Sequence, residues 1–242
     1  MDRPPTGGRR LRRAGVRIGA GAAAAALAAL GAFQLLHSSA EAGRDATARA
    51  AQGTGLDPLT DQEVDKARTA ALADQPRAQS ARGLPQVVFV SADRVDADSG
   101  PRTADVRLYD YRTDELVVRH VDLASGRVVR TEHAKGTQPP PASAELRRAV
   151  EMILADSRLG PGLRAAYKAA AGREPASAAD IHVRGRIFYG PQAGGASNRN
   201  EVAECGRRRC FGVNLKLPDG TWVDTRRIVV NMSAQRINIL DR

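Results

Sequence analysis

The chain has 242 residues, 42% of them hydrophobic and 26% charged, with only 4% aromatic and a formal net charge of +10. That length allows one large domain or two small ones, and the core must rest on Val, Leu, Ile and Ala rather than on rings. A basic balance suits nucleic acid, anionic lipid or an acidic polymer. No Lys/Arg stripe with interleaved aromatics occurs, so nucleic acid is not an expected partner.

The N-terminus reads as an address. Arg3, Arg9, Arg10, Arg12, Arg13 and Arg17 against Asp2 and Glu41 give the first 42 residues a net +4 and leave +6 for the rest. Residues 18–36 carry no charge and are mostly Ala, Gly and Leu. Ala40 and Ala42 then sit at the spacing signal peptidase needs, which is the layout of an export signal. The pairs Arg9-Arg10 and Arg12-Arg13 resemble a twin-arginine signal, although no strong hydrophobic pair follows either in the expected register. An uncleaved anchor is the other reading. Nineteen uncharged residues can just span a bilayer, and the arginines would hold the N-terminal side in the cytoplasm. Both readings place the rest of the chain outside the cytoplasm, secreted or anchored on the outer face of the membrane, with membrane contact only through residues 18–36. Residues 43–58 read as a flexible linker.

"LTDQEVDKARTAALAD" (59–74) predicts a helix. Thr60 and Glu63 have capping-box spacing, and Val64, Ala67 and Ala71 follow at helical intervals. Four strands are expected next, at 86–95, 104–111, 115–123 and 127–134, with Ser125-Gly126 turning the last pair. "GTQPPPAS" breaks the pattern, because proline cannot continue a ladder. A helix follows over 143–156, capped by Ser143, with Leu146, Ala149, Val150 and Ile153 on one face. A second helix over 161–172 stops at Gly172. Strands resume at 180–190, 210–217, 221–232 and 235–240.

The two ends share a pattern. Val121-Asp122-Leu123 matches Val230-Asn231-Met232, and Arg127-Val128 matches Arg236-Ile237. The expected fold is therefore α+β: a first module over 59–137 and a second over 138–242, each a helix on a four-stranded antiparallel sheet with a wet outer face.

Cys205 and Cys210 are expected to form a disulfide, since an even cysteine count in an exported chain favours pairing. A redox pair would need thiolates stabilised by Arg207, Arg208 and Arg209, but the spacing is not Cys-x-x-Cys. No His lies at zinc-ligand spacing. Those three arginines and the Gly-rich loop 190–204 are the candidate interaction surface.

"LDPLTDQEVDKA" and "VDLASGRVVRTEHAKGTQPPPASAELRRAVEMILADSRL" resemble, over about Leu56 to Leu159, the N-terminal region of copper amine oxidases. The resemblance implies the second and third small domains of those enzymes, both cystatin-like. In the family, a tyrosine after Asn becomes the quinone cofactor, and three histidines hold copper in a large C-terminal domain. Here none of Tyr109, Tyr111, Tyr167 and Tyr189 follows Asn, and His37, His120, His133 and His182 include no His-x-His. His120 and His133 could face each other across a hairpin, but two imidazoles are a poor copper site. The chain ends at Arg242, after the second module. No catalytic residue, metal or cofactor is expected. The expected role is binding, to a protein or a cell-envelope polymer. The alternatives are an accessory to an amine oxidase acting in trans, and a protease inhibitor of cystatin-like or PepSY-like fold.

Overall fold

The structure is a computed structural model that describes residues 53, 55–75, 83–95, 100–190 and 202–241. The export segment, with Arg9, Arg10, Arg12, Arg13, Ala40 and Ala42, lies outside the described residues, as do most of the linker and of the loop 190–204. No helix among the described residues is long and apolar enough to cross a membrane.

Helix α1 spans Asp61–Leu72 and is followed by strands β1 (Val87–Arg94), β2 (Thr103–Asp110), β3 (Glu115–Asp122) and β4 (Arg127–Lys135). The strands form an antiparallel sheet in the order β1-β2-β3-β4. The capping box at the start of α1 forms: the Glu63 N–H donates to Thr60 Oγ1 at 3.3 Å, and the Thr60 N–H donates to Glu63 Oε2 at 2.9 Å. Ala67 and Ala71 then lie against Val87, Val106, Leu108, Val117 and Val121. Alanines at those positions let the helix axis approach the sheet closely.

Helices α2 (Ser143–Ala155) and α3 (Gly160–Ala171) precede a single 3-10 turn (Ala178–Asp180) and strands β5 (His182–Ile187), β6 (Cys210–Lys216), β7 (Trp222–Val223), β8 (Ile228–Asn231) and β9 (Arg236–Ile239). Their sheet runs β5-β6-β8-β9, with β7 paired to β6. The protein is thus mixed α+β, with antiparallel sheets of four and five strands and three α-helices among the described residues.

Three expectations need correction. The strand expected at 221–232 is two strands. It breaks because the buried Thr225 hydroxyl takes the Val213 carbonyl as its acceptor and Asp224 accepts from the Arg226 N–H at 3.2 Å. Ser143 is not the cap of α2. Ala142 holds the cap position, and its N–H donates to the Glu145 carboxylate at 2.7 Å. The outer face of the first sheet is also not wet throughout. Val88, Tyr109 and Tyr111 point away from α1 into the core that α2 (Ala149, Val150, Ile153) makes with Phe211, Val213, Leu215 and Val230. Side chains alternate across a strand, so Val87 and Leu108 serve one core while Val88 and Tyr109 serve the other.

The hairpin turns β3–β4 and β8–β9 are built alike. In the first, Asp122 Oδ1 accepts from the Ser125 N–H at 2.6 Å; in the second, Asn231 Oδ1 accepts from the Ala234 N–H at 2.9 Å. Each turn closes through a positive φ, 67° at Gly126 and 52° at Gln235. Leu123 and Met232, at matching positions, are both buried.

Candidate functional site

Among the described residues, the formally charged side chains most deeply buried are an arginine and a glutamate, and the chain uses this pairing twice. Glu63, in the first turn of α1, accepts from Arg102 Nε at 2.7 Å and from Arg102 Nη2 at 3.0 Å. The same guanidinium donates to the carbonyls of Asp57 and Pro58, just before the helix. Glu145, at the same turn of α2, accepts from Arg209 Nε at 2.9 Å and Nη2 at 2.8 Å. Arg209 donates to the carbonyls of Pro139 and Pro140, again just before the helix. Both arginines immediately precede the second strand of their sheet. Their own carbonyls accept from Leu123 and Met232, the matched turn residues. Each pair fastens a helix start to a strand start, with the bidentate geometry that suits guanidinium and carboxylate.

The pairs differ in access. Arg102 is 17% exposed and Glu63 5%, whereas Arg209 is 1% and Glu145 0%. The second pair is sealed by the first sheet. The Tyr111 hydroxyl donates to Glu145, and Arg209 stacks over the Tyr109 ring at 4.8 Å. Ser233, which accepts from the Arg209 N–H at 2.9 Å, donates to Asp114. Burial pushes the Tyr109 and Tyr111 hydroxyls up, well above the ordinary phenol range. Burial would lower the Arg209 pKa, but the Glu145 carboxylate more than offsets this and holds it raised.

These positions revise the candidate surface. Arg209 is removed from it, because its guanidinium is consumed by Glu145 and two proline carbonyls. Arg208 is half-buried and pairs with Glu204 at 3.0 Å and Asp114 at 3.5 Å. Arg207 alone of the three is exposed. The disulfide between Cys205 and Cys210 is present, with Cα atoms 5.3 Å apart. It packs with Val202 and Val229 on the outer face of the second sheet. His120 and His133 do not face each other. His133 is opposite Val117, on the α1 side, and His120 is opposite Arg130, on the other side of the sheet. His120 instead contacts Asp105 through Nδ1 and lies 3.5 Å from Glu132 through Nε2. No group of three or more His, Cys, Asp or Glu able to hold a metal ion occurs among the described residues.

The other end of the second sheet's outer face is open. His182, Lys216 and Trp222 are cross-strand neighbours in β5, β6 and β7. Trp222 is 49% exposed, with the His182 ring edge-on at 6.5 Å and the Lys216 ammonium 5.8 Å from the ring centroid. Arg184 and Arg186 continue the β5 side of this face at alternate positions. Arg186 lies flat over Gly212, where a Cβ would come within 2.7 Å of its guanidinium carbon, and donates to Asn214 at 2.9 Å. A shallow depression of about 300 Å³ lies between Asn214, Trp222, Val223 and Arg226. A larger cleft of about 620 Å³ lies between α1 and β1, lined by Asp65, Arg68, Leu72, Val87 and Phe89, with Arg68 stacked on Phe89 at 5.1 Å. Sequence reasoning missed Trp222 and both Arg–Glu pairs. The signal for the pairs was present as an acidic residue in the first turn of each helix and an arginine just before each second strand.

No protein-family model matches the chain, and no curated protein matches it. Among solved structures, a copper-containing benzylamine oxidase from Hansenula polymorpha is similar at 13% identity with a TM-score of 0.39, over 76% of this chain. The chain spans about a third of that oxidase, which it covers over 30% of its length.

Proposed function

We propose that this is a non-catalytic binding protein, exported or membrane-anchored, built from two cystatin-like units of the kind found at the N-terminus of copper amine oxidases. The ordered motifs from Leu56 to Leu159 support the choice of units. The binding role rests on one observation: the open face around Trp222, where Arg184, Arg186 and Lys216 stand beside a half-exposed indole with no carboxylate at ion-pair distance among the described residues. Exposed aromatic and cationic side chains together are the residue types that anchor partners. The partner is a component of the cell envelope.

The test uses the purified full chain. Bound metal and amine-dependent peroxide release are measured in one sample, and sedimentation with an isolated cell-envelope fraction in a second. The expected result is no turnover and salt-sensitive co-sedimentation. Stoichiometric copper with peroxide release overturns the reading, and so does failure to sediment at low salt.

A further inference from the structure

We infer that the face centred on Trp222 binds an acidic polysaccharide, with a sugar ring on the indole and its carboxylates on Lys216, Arg184 and Arg186. This rests on the binding role proposed above and names its surface and ligand class.

The position of the face comes first. Tyr109 lies seven residues after Arg102, and Lys216 lies seven residues after Arg209, so the two occupy matching places on matching strands. On the first sheet this face is a contact surface: Tyr109 lies beneath Arg209, and Tyr111 reaches Glu145. On the second sheet the same face carries Lys216 and Trp222 and stays open beside the area that the disulfide segment covers.

The side chains on it set the chemistry. The charged side chains of this face on β5 and β6 are all cations. Arg184 and Arg186 make a short cationic row along β5, about 6.8 Å apart as alternate residues of a strand, and Lys216 stands one strand across, opposite His182 and beside the flat ring. Asp224, the nearby acid, is already paired with Arg226 at 2.8 Å. A protein partner would want an apolar cluster at the centre of its contact. Trp222 instead stands alone here, since the other large exposed hydrophobics among the described residues, Leu56 and Val129, lie on the linker and on β4. Single-stranded nucleic acid is gripped by successive rings on which successive bases stack, and this face has one indole. A repeating anion with a flat, partly apolar face fits both the row and the ring.

The experiment measures binding of the full chain to polygalacturonate, with dextran as the neutral control and oligo-dT and phosphatidylglycerol vesicles as other polyanions. Polygalacturonate is expected to bind and dextran not to. Trp222→Ala is expected to weaken binding roughly tenfold, the order of loss of one stacking platform, at an unchanged melting temperature. Trp222→Phe recovers part of the loss. Arg184→Glu/Lys216→Glu abolishes binding. The inference is overturned if polygalacturonate does not bind, if Trp222→Ala leaves its affinity unchanged, or if oligo-dT or vesicles bind more tightly through Trp222. Each variant is also sedimented with the envelope fraction. Envelope binding that survives Trp222→Ala places the binding surface elsewhere and leaves the binding role standing, whereas amine turnover removes the role itself.

Discussion

Arg209 shows how one residue type can serve opposite ends. In "CGRRRC" the three arginines look equivalent, yet Arg207 is exposed, Arg208 is half-buried and Arg209 is sealed against Glu145. Removing one member of a buried ion pair leaves the other charged and unpaired, which costs about 3–5 kcal/mol. Arg209→Ala and Glu145→Gln are each expected to destabilise by that order in urea unfolding. Arg209→Met/Glu145→Leu should lose much less, because neither charge is then stranded. The more accessible pair gives a pH signature. Arg102's hydrogen bonds, opposed by burial and helped by the Thr60 N–H, lower the Glu63 carboxyl from an ordinary 4.5 to about 2. A carboxylate depressed in the folded state adds stability above its unfolded pKa and loses it as pH falls through the folded value. The contribution, about 2 kcal/mol after allowance for partial solvent access, should therefore be intact above pH 4.5 and drain away toward pH 2. Melting temperatures measured across that range should fall more steeply for the natural chain than for Glu63→Gln. Parallel curves would sink the assignment.

At the scale of elements, the disulfide closes a loop with four residues between its cysteines, and so small a loop gives a modest entropic gain. Cys205→Ser/Cys210→Ser is expected to lose about 2 kcal/mol by the loop-closure relation, read as a lower urea midpoint at unchanged slope. A loss near zero would mean that Val202 and Val229 hold the segment without the bond. Much of this level was legible in the sequence. Period 3.6 gave the buried Ala67 and Ala71 of α1 and Ala149, Val150 and Ile153 of α2, although Val64 and Leu146 on the same stripes are only half-buried and the buried Glu63 and Glu145 lay outside the pattern. Gly172 ended α3, and the two hairpins announced their likeness through Asp122 and Asn231. The break at Asp224–Arg227 was not legible, because Val223 and Ile228 both look like strand and the interruption depends on Thr225 reaching a carbonyl on another strand. His120 and His133 were misplaced for a related reason. They lie on neighbouring strands, but only the register decides the face, and β4 carries an extra residue, Val129, in a bulge. The Arg–Glu pairs join residues 39 and 64 positions apart, beyond any local pattern.

At the scale of the molecule, two sheets with two helix layers could unfold separately, as a tandem array does when its parts meet only at a linker. Here Val88, Tyr109 and Tyr111 leave the first sheet to complete the second core, and Leu84 joins them. Asp114, on the β2–β3 turn, receives Ser233 from the β8–β9 turn and Tyr109 from its own sheet. The "TQPPP" segment between the sheets is not a loose tether, since Gln138 donates to the Gly206 carbonyl at 3.1 Å and the Pro139 and Pro140 carbonyls hold Arg209. Those contacts tie the opening of either half to the loss of apolar burial in the other, so calorimetry should give one transition whose calorimetric and van't Hoff enthalpies agree. Tyr109→Ala removes the ring that Arg209 stacks on and leaves a cavity on the shared side, with a loss of about 3–5 kcal/mol. Its effect should differ in kind from that of Val117→Ala as well as in size. Val117 faces α1 and should lower the single transition as a whole, whereas Tyr109→Ala should split it in two. One transition in both variants would mean that Val88, Tyr111, the Ser233–Asp114 bond and the proline segment couple the halves without the Tyr109 ring, and two in the natural chain would mean that the shared core is too weak to join them.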